Sequence, residues 1–355
     1  AKLKKIIAYT EQESIPLVYF ILAFVSSVTL RNFLEIFADD AKVSFRLIPY
    51  QTPVYAIAGY SIAIAFMHYF LFWAALFMGI SVILFFITRE KFLNVLKTAL
   101  SFSFLLWITP LFDLIITKGK GLEISYIHPR NILDILPIPN VATPGMIISI
   151  LTGIFLTFVY CKIKTKSVAK SLAGALLAYS AGLLLAILPV IPGMSHPVAL
   201  TRLLSLILFA EISVGLIAAK NKYIKAIFGD TRWLRVLHYW LMFIFGISLS
   251  GRGLLAPLAG DIYSFLLITL GIFLSWIAAL MFNNLEDQAI DALSNPQRPL
   301  VKGAIPTKTY TALACLAAGL ALFFALMVNI PTFFLMLLGL GNSLLYSLPP
   351  LRLKR

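Results

Sequence analysis

An all-α, polytopic membrane fold of about ten transmembrane helices is what this sequence predicts, on three observations. Hydrophobic residues fill 60 % of the 355 positions and charged residues only 12 %, about half the share (~25 %) of an ordinary soluble domain. The apolar residues gather in runs close to the roughly 20 residues that a helix needs to cross the hydrocarbon core. Basic residues punctuate these runs instead of forming one patch. The net charge of +14 therefore reads as loops at the surface of a lipid bilayer, and nucleic acid is excluded as a partner.

The runs lie at about 15–37, 54–88, 92–117, 143–162, 168–191, 198–219, 236–250, 262–284, 309–329 and 331–348. The second is long for one crossing, and either tilts or begins as an interfacial segment near Pro53 and Gly59. Pro110 is expected to kink the third. The seventh is short and can extend toward Arg252. Lys and Arg alternate in density between the two sides. Lys2, Lys4 and Lys5, the loops 89–97, 162–170, 220–235 and 298–308, and the 352–355 end hold 21 of them; Arg31, Lys42, Arg46, Lys118, Lys120, Arg130 and Arg252 make 7 on the other side, with Arg202 inside a span. That asymmetry predicts an even number of spans with both ends cytoplasmic, in a cytoplasmic (plasma) membrane. Residues 221–235 carry basic residues with Gly229 and Asp230 and read as an interfacial linker. It separates a six-span membrane domain (1–220) from four further spans (236–355). The chain begins at Ala1, its first methionine is Met67, and no cleavable signal follows the basic start, so the sequence is expected to be a fragment, at least at its N-terminus. Cys161 and Cys315 have no metal-ligand spacing and read as helix-packing residues.

Chemistry is concentrated in NNLEDQAIDALSNPQRPLVKG, residues 283–303. If the preceding apolar helix continues into the headgroup layer, Asn283, Asp287, Asp291 and Asn295 recur every fourth residue and share one face. Asn284 borders that face, and Glu286 is less clearly placed. Two carboxylates one turn apart repel each other, and a divalent cation reverses the sign. Mg²⁺ takes hard oxygen ligands and typically joins one or two carboxylates to substrate phosphates. Arg298 carries a planar fork suited to phosphate, and Lys302 adds a point charge. Spacing alone leaves open a solvated loop whose acids merely balance its bases.

The same residues resemble the first aspartate-rich signature of the UbiA prenyltransferase superfamily, Asn-Asp-x-x-Asp-x-x-x-Asp followed by Asn-x-x-Arg-Pro and a Gly. Here the positions are Asn283, Asn284, Asp287, Asp291, Asn295, Arg298, Pro299 and Gly303. Asn284 departs from the usual Asp, which removes one charge that Glu286 is placed to restore. RVLHYWLMFIFGI resembles the family's first helix, and YSLPPLRLKR at 346–355 its loop after the fourth. The resemblance covers about residues 232–355. It implies transfer of a prenyl group from an isoprenoid diphosphate to an aromatic or lipid acceptor, with Mg²⁺ as cofactor and the motif facing the cytoplasm. Asp287 and Asp291 would be the catalytic metal ligands, assisted by Asn283 and Asn284. Arg298, Lys302 and Asn295 would bind the substrate diphosphate. Family members carry eight or nine helices and a second acidic motif. This sequence holds four of those helices, so a C-terminal truncation is expected, with the other half supplied by further sequence or by a second chain. Arg352 and Lys354 read as positive-inside anchors and Tyr346 as an interfacial aromatic.

The first six spans resemble nothing identified. Their handles are His68, Asp113 and Glu211, ionisable residues inside apolar runs, which default to functional hypotheses. They keep a second reading open, a membrane transporter or a structural membrane module without transferase activity. His128, His196 and His238 sit at or near loops and helix ends.

Overall fold

The structure, a computed structural model, describes residues 2–38, 58–117, 134, 136, 138–139, 142–190, 197–249 and 261–348. Its regular elements are all helical, with no strand among the described residues. Among the described residues nine helical stretches, one of them the broken run Phe92–Ile116, are long and apolar enough to cross a bilayer, and Trp233–Leu249 is a shorter apolar tenth. At 17 residues it stands at the lower limit of about 17 for a crossing. The chain is an all-α, polytopic membrane protein. It divides into two compact units, Ala1–Ala219 and Lys220–Arg355.

The first unit opens with a short helix, α1 (Lys2–Thr10), followed by α2 (Leu17–Ala38) and the long α3 (Ala58–Thr88). Pro53, where the second run was expected to begin, lies outside the described residues. The third run is broken into α4 (Phe92–Ser101), a 3-10 segment (Phe102–Trp107) and α5 (Ile108–Thr117). The break falls just upstream of Pro110. Proline has no N–H to give the carbonyl four residues back, and its ring crowds that carbonyl; here that is Leu106, within the 3-10 segment. Side chains hold the break in place. Ser103 Oγ donates to Ser27 Oγ at 3.1 Å, and Trp107 Nε1 donates to the Ser27 carbonyl at 3.2 Å.

Helices α6 (Pro144–Thr165), α7 (Val168–Ala186) and α8 (Pro197–Asp230) follow. Phe24, Phe77, Phe92, Leu96 and Leu100 form one core of the unit, and Ile7, Leu84, Val95, Tyr160 and Cys161 another. Cys161 is a packing residue, set so close to Gly174 that a Cβ there would lie 2.6 Å from its sulfur. Cys315 is exposed. Charged partners fasten the chain start to this bundle. Lys164 Nζ donates to Glu11 Oε2 at 2.5 Å with both side chains largely buried. Lys97 is buried and donates to the Gln12 carbonyl at 2.9 Å.

Residues 221–230, read from sequence as linker, are helical. Lys220 interrupts α8 with a non-helical φ of −139° and ψ of 33°, and the turns beyond it present Tyr223, Ala226 and Ile227 to the core of the second unit. That apolar spacing is helical, and burial of those three side chains favours helix over an extended connection.

The second unit contains α9 (Trp233–Leu249), α10 (Ile262–Glu286), α11 (Gln288–Ser294), α12 (Thr307–Val328) and α13 (Ile330–Ser347). Arg252, toward which α9 was expected to extend, lies outside the described residues. Helices α10 and α12 are the most intimately packed pair. Ala278, Ala314 and Ala321 between them have no exposed surface, and a Cβ on Gly271 would lie 3.6 Å from the Ala321 carbonyl oxygen. Small residues let backbones approach closely, which is how helices associate where lipid removes the hydrophobic drive. Only Asn329 separates α12 from α13; its Oδ1 accepts from the Thr332 amide at 2.8 Å and caps the outgoing helix.

Candidate functional site in the second unit

The 283–303 segment begins inside α10. That helix closes at Glu286, Asp287 turns with φ −90° and ψ 7°, and α11 resumes at Gln288. The break does not disturb the four-residue register. Asp287 N donates to Asn283 O at 3.0 Å, Asp291 N to Asp287 O at 2.7 Å, and Asn295 N to Asp291 O at 2.8 Å. The backbone therefore stacks these residues turn upon turn, as their spacing predicts.

Their side chains divide into two groups. The first is a closed, buried network. Asn284 is 2 % exposed, Asp291 4 % and Arg298 9 %. Arg298 Nη1 donates to Asn284 Oδ1 at 2.7 Å and forms an ion pair with Asp291 Oδ2. The Asn284 amide nitrogen donates to Asp230 Oδ2 at 2.8 Å and to the Tyr310 hydroxyl at 3.0 Å. Five side chains from α8, α10, α11, α12 and the loop after α11 thus satisfy one another. Buried charges require this kind of complete pairing.

The second group is more open. Asn283 Nδ2 donates to Asp287 Oδ2 at 2.9 Å, and both residues are half-buried. Ser347 Oγ, from the end of α13, reaches Asn283 Oδ1 at 3.4 Å. Asn295 is exposed and donates weakly to Asp291 Oδ1 at 3.4 Å. Lys302 is exposed and Glu286 half-buried. Arg298 is followed by a compact turn in which Gly303 adopts φ +66°, a left-handed conformation that favours glycine.

Residues 239–355 match the model of the UbiA prenyltransferase family. Over this third of the chain the sequence is similar to the UbiA family. The match covers α9 to the end of the chain and includes every motif residue above. No curated protein and no solved structure matches. The match supports intramembrane prenyl transfer at the level of the family.

The 283–303 segment does not present four equivalent metal ligands. Asn284 is engaged with Asp230, Tyr310 and Arg298, and Asp291 with Arg298. Asp287 and Asn283, one turn apart, lie nearer the surface and are half-buried. Among the described residues, no three His, Cys, Asp or Glu gather as a metal cluster. Two oxygen donors on one turn nevertheless fit a cation such as Mg²⁺, which keeps water and borrows substrate oxygens to complete its shell. Arg298, expected to offer its fork to phosphate, commits Nη1 to the network.

Asp230 and Tyr310 were not anticipated from sequence. Asp230 lies 54 positions before Asn284, and Tyr310 reads as an ordinary aromatic at a helix start. The one hint was the Asn at position 284. An Asp there would face the Asp230 carboxylate across a hydrogen-bond distance, whereas the Asn amide donates to it.

The handles of the first unit are not brought together as one site. His68 Nδ1 lies 3.0 Å from Thr201 Oγ1. Asp113 closes the start of α6: its Oδ2 accepts from Thr143 Oγ1 at 2.5 Å and its Oδ1 from the Gly145 amide at 2.8 Å. Gly145 is needed there, since a Cβ would lie 2.2 Å from the Thr109 carbonyl oxygen. Glu211 sets its Oε1 where a Cβ on Gly79 would come within 2.7 Å. His238 is exposed, and His128, His196, Arg352 and Lys354 lie outside the described residues. Arg31, counted from sequence among loop residues, is buried on α2.

Proposed function

We propose that the second unit forms a donor half-site of a Mg²⁺-dependent prenyltransferase, which moves a prenyl group from an isoprenoid diphosphate to an aromatic or lipid acceptor. The observation that carries this is the half-buried Asn283–Asp287 pair on one turn beside a buried Asp291–Arg298 lock, within the segment similar to the UbiA family. Asp287 would hold the cation, with Asn283 orienting its carboxylate through the 2.9 Å hydrogen bond. Bound Mg²⁺ would neutralise charge on the departing diphosphate. The lock has a positioning role. By neutralising Asp291, Arg298 fixes α11 and the turn after it, and so the direction from which Lys302 meets the substrate. The bond between the allylic carbon and the diphosphate oxygen breaks, the electron pair leaves with diphosphate, and the acceptor attacks the carbon. The excess of Lys and Arg on the motif side agrees with a cytoplasmic mouth in a plasma membrane.

The test is binding of a non-hydrolysable prenyl diphosphate analogue to the purified chain with and without Mg²⁺. Wild type is expected to show a Mg²⁺-dependent component that Asp287→Ala abolishes. Asn283→Ala, which removes the orienting amide, should weaken it about tenfold or more. Mg²⁺-dependent binding that survives Asp287→Ala unchanged overturns the reading.

A further inference from the structure

Helices α3 and α8 run the same way, as the second and sixth spans of the expected order should. His68 on α3 meets Thr201 on α8. Eleven residues further along α3 and ten along α8, roughly 15–16 Å in each helix, Gly79 meets Glu211. Thr201, Leu204, Glu211 and Gly215 share one face of α8, and Thr201 and Leu204 are buried. Glu211 lies eight residues, roughly 12 Å, before the end of its apolar run at Ala219. Gly79 lies near the middle of the Met67–Thr88 span. In a hydrocarbon core of about 30 Å the carboxyl is therefore at mid-membrane depth.

The missing side chain of Gly79 makes the niche that receives this carboxyl. A Cβ there would lie 2.7 Å from Glu211 Oε1 and 3.5 Å from its carboxyl carbon. Oε2 is buried with no hydrogen-bond partner, and no ion pair reaches the group, among the described residues. The charged neighbours are distant or engaged. On α8 the nearest are Arg202 and Lys220, each nine residues or roughly 13 Å away along the axis. On α3 they are His68, at Thr201, and the exposed Arg89 at its end. Near the start of α4, where a Cβ on Gly215 would strike the Phe92 ring, Glu90 pairs with Lys164, Lys91 with Glu13, and Lys97 with the Gln12 carbonyl.

An ionisable side chain inside a span is costly and marks a functional position by default, and a buried charge without a partner is neutralised. The neutralising ligand must be a cation that is content with one carboxyl. A hard metal ion takes several oxygens. Among the described residues no three His, Cys, Asp or Glu gather here, and the Ser81, Ser205 and Ser213 hydroxyls donate to carbonyls of their own helices. A proton needs one oxygen. We infer that Glu211 is a reversible proton-binding site of the first unit, its carboxyl taking up and releasing a proton in the niche at Gly79. None of these residues lies in the segment similar to the UbiA family, so the inference stands apart from the proposed function.

The test uses the full chain in lipid vesicles and dicyclohexylcarbodiimide, a lipid-soluble reagent specific for the acid form of a carboxyl. The acid O–H adds across one C=N bond, and the acyl group then migrates to nitrogen as a stable adduct. Peptide mapping by mass spectrometry should place an adduct on Glu211, lost in the isosteric Glu211→Gln. Over a pH series in which the chain stays folded, labelling should fall along a one-proton curve, about tenfold per pH unit beyond its midpoint. The infrared C=O stretch of the acid, read as wild type minus Glu211→Gln, should fade over the same range. Exchanging choline for Na⁺ should leave both readouts unchanged. Gly79→Ala, whose Cβ displaces the flexible end of Glu211, should move the midpoint by about one pH unit or more. An infrared difference that is absent or constant with pH, protection by Na⁺, or the wild-type midpoint in Gly79→Ala overturns the proposal.

Discussion

Both units bury ionisable side chains among apolar helices, and they solve the problem differently. In the first unit the groups are spread over separate small clusters. Asp113 takes the opening donors of α6, His68 meets a threonine, and Lys164 meets Glu11 at the bundle end. In the second unit Asp230, Asn284, Asp291, Arg298 and Tyr310 share one network. Separate clusters each join only two or three elements. A shared network makes four helices and a loop depend on one guanidinium, which suits a site that must hold several elements in register.

This contrast predicts graded effects, measurable as unfolding of the chain in mixed micelles. Arg298→Ala should be the most damaging, because it leaves the buried Asp291 carboxylate uncompensated, a loss of about 3–5 kcal/mol. An unchanged unfolding midpoint would show that the five side chains do not act together. Asn284→Asp should rank next, at about 2 kcal/mol, since it sets a second carboxylate against Asp230. Asp230→Asn in the same chain should recover most of that loss, as expected for residues in direct contact; simple addition of the two losses would refute the pairing. Asp113→Ala should cost about 1 kcal/mol, the usual scale of a lost helix cap. Amide exchange should then rise at the start of α6 and stay unchanged in the second unit.

How much was legible in the sequence follows from the same contrast. Spans are legible because hydropathy is a local property, and each of the ten apolar runs contains a helix. The Asn283–Asp287–Asp291–Asn295 register was legible because backbone geometry dictates it. What lies opposite a given face is not a local property. Spacing aligned Asn284 and Asp291 with Asp287 but could not reveal that Asp230 and Tyr310 face the first and Arg298 the second. The end of α8 was misjudged for a related reason. Its basic residues suggested a linker, while Tyr223, Ala226 and Ile227 fold it onto the second core. Arg31 shows the converse, a residue counted with the outer-side charges that the bundle buries.

The single-residue join at Asn329 bears on how the protein enters the membrane. Helices α12 and α13 are nearly continuous in sequence, and Asn329 and Pro331 reverse the chain with no charged residue between Val328 and Thr332. Insertion of this pair moves no ionised group across the hydrocarbon layer at the turn, and the amide of Asn329 arrives already occupied as a cap. The two helices can therefore partition from the insertion machinery into lipid as one preformed hairpin, and Ser347 is returned to the side from which Thr307 set out.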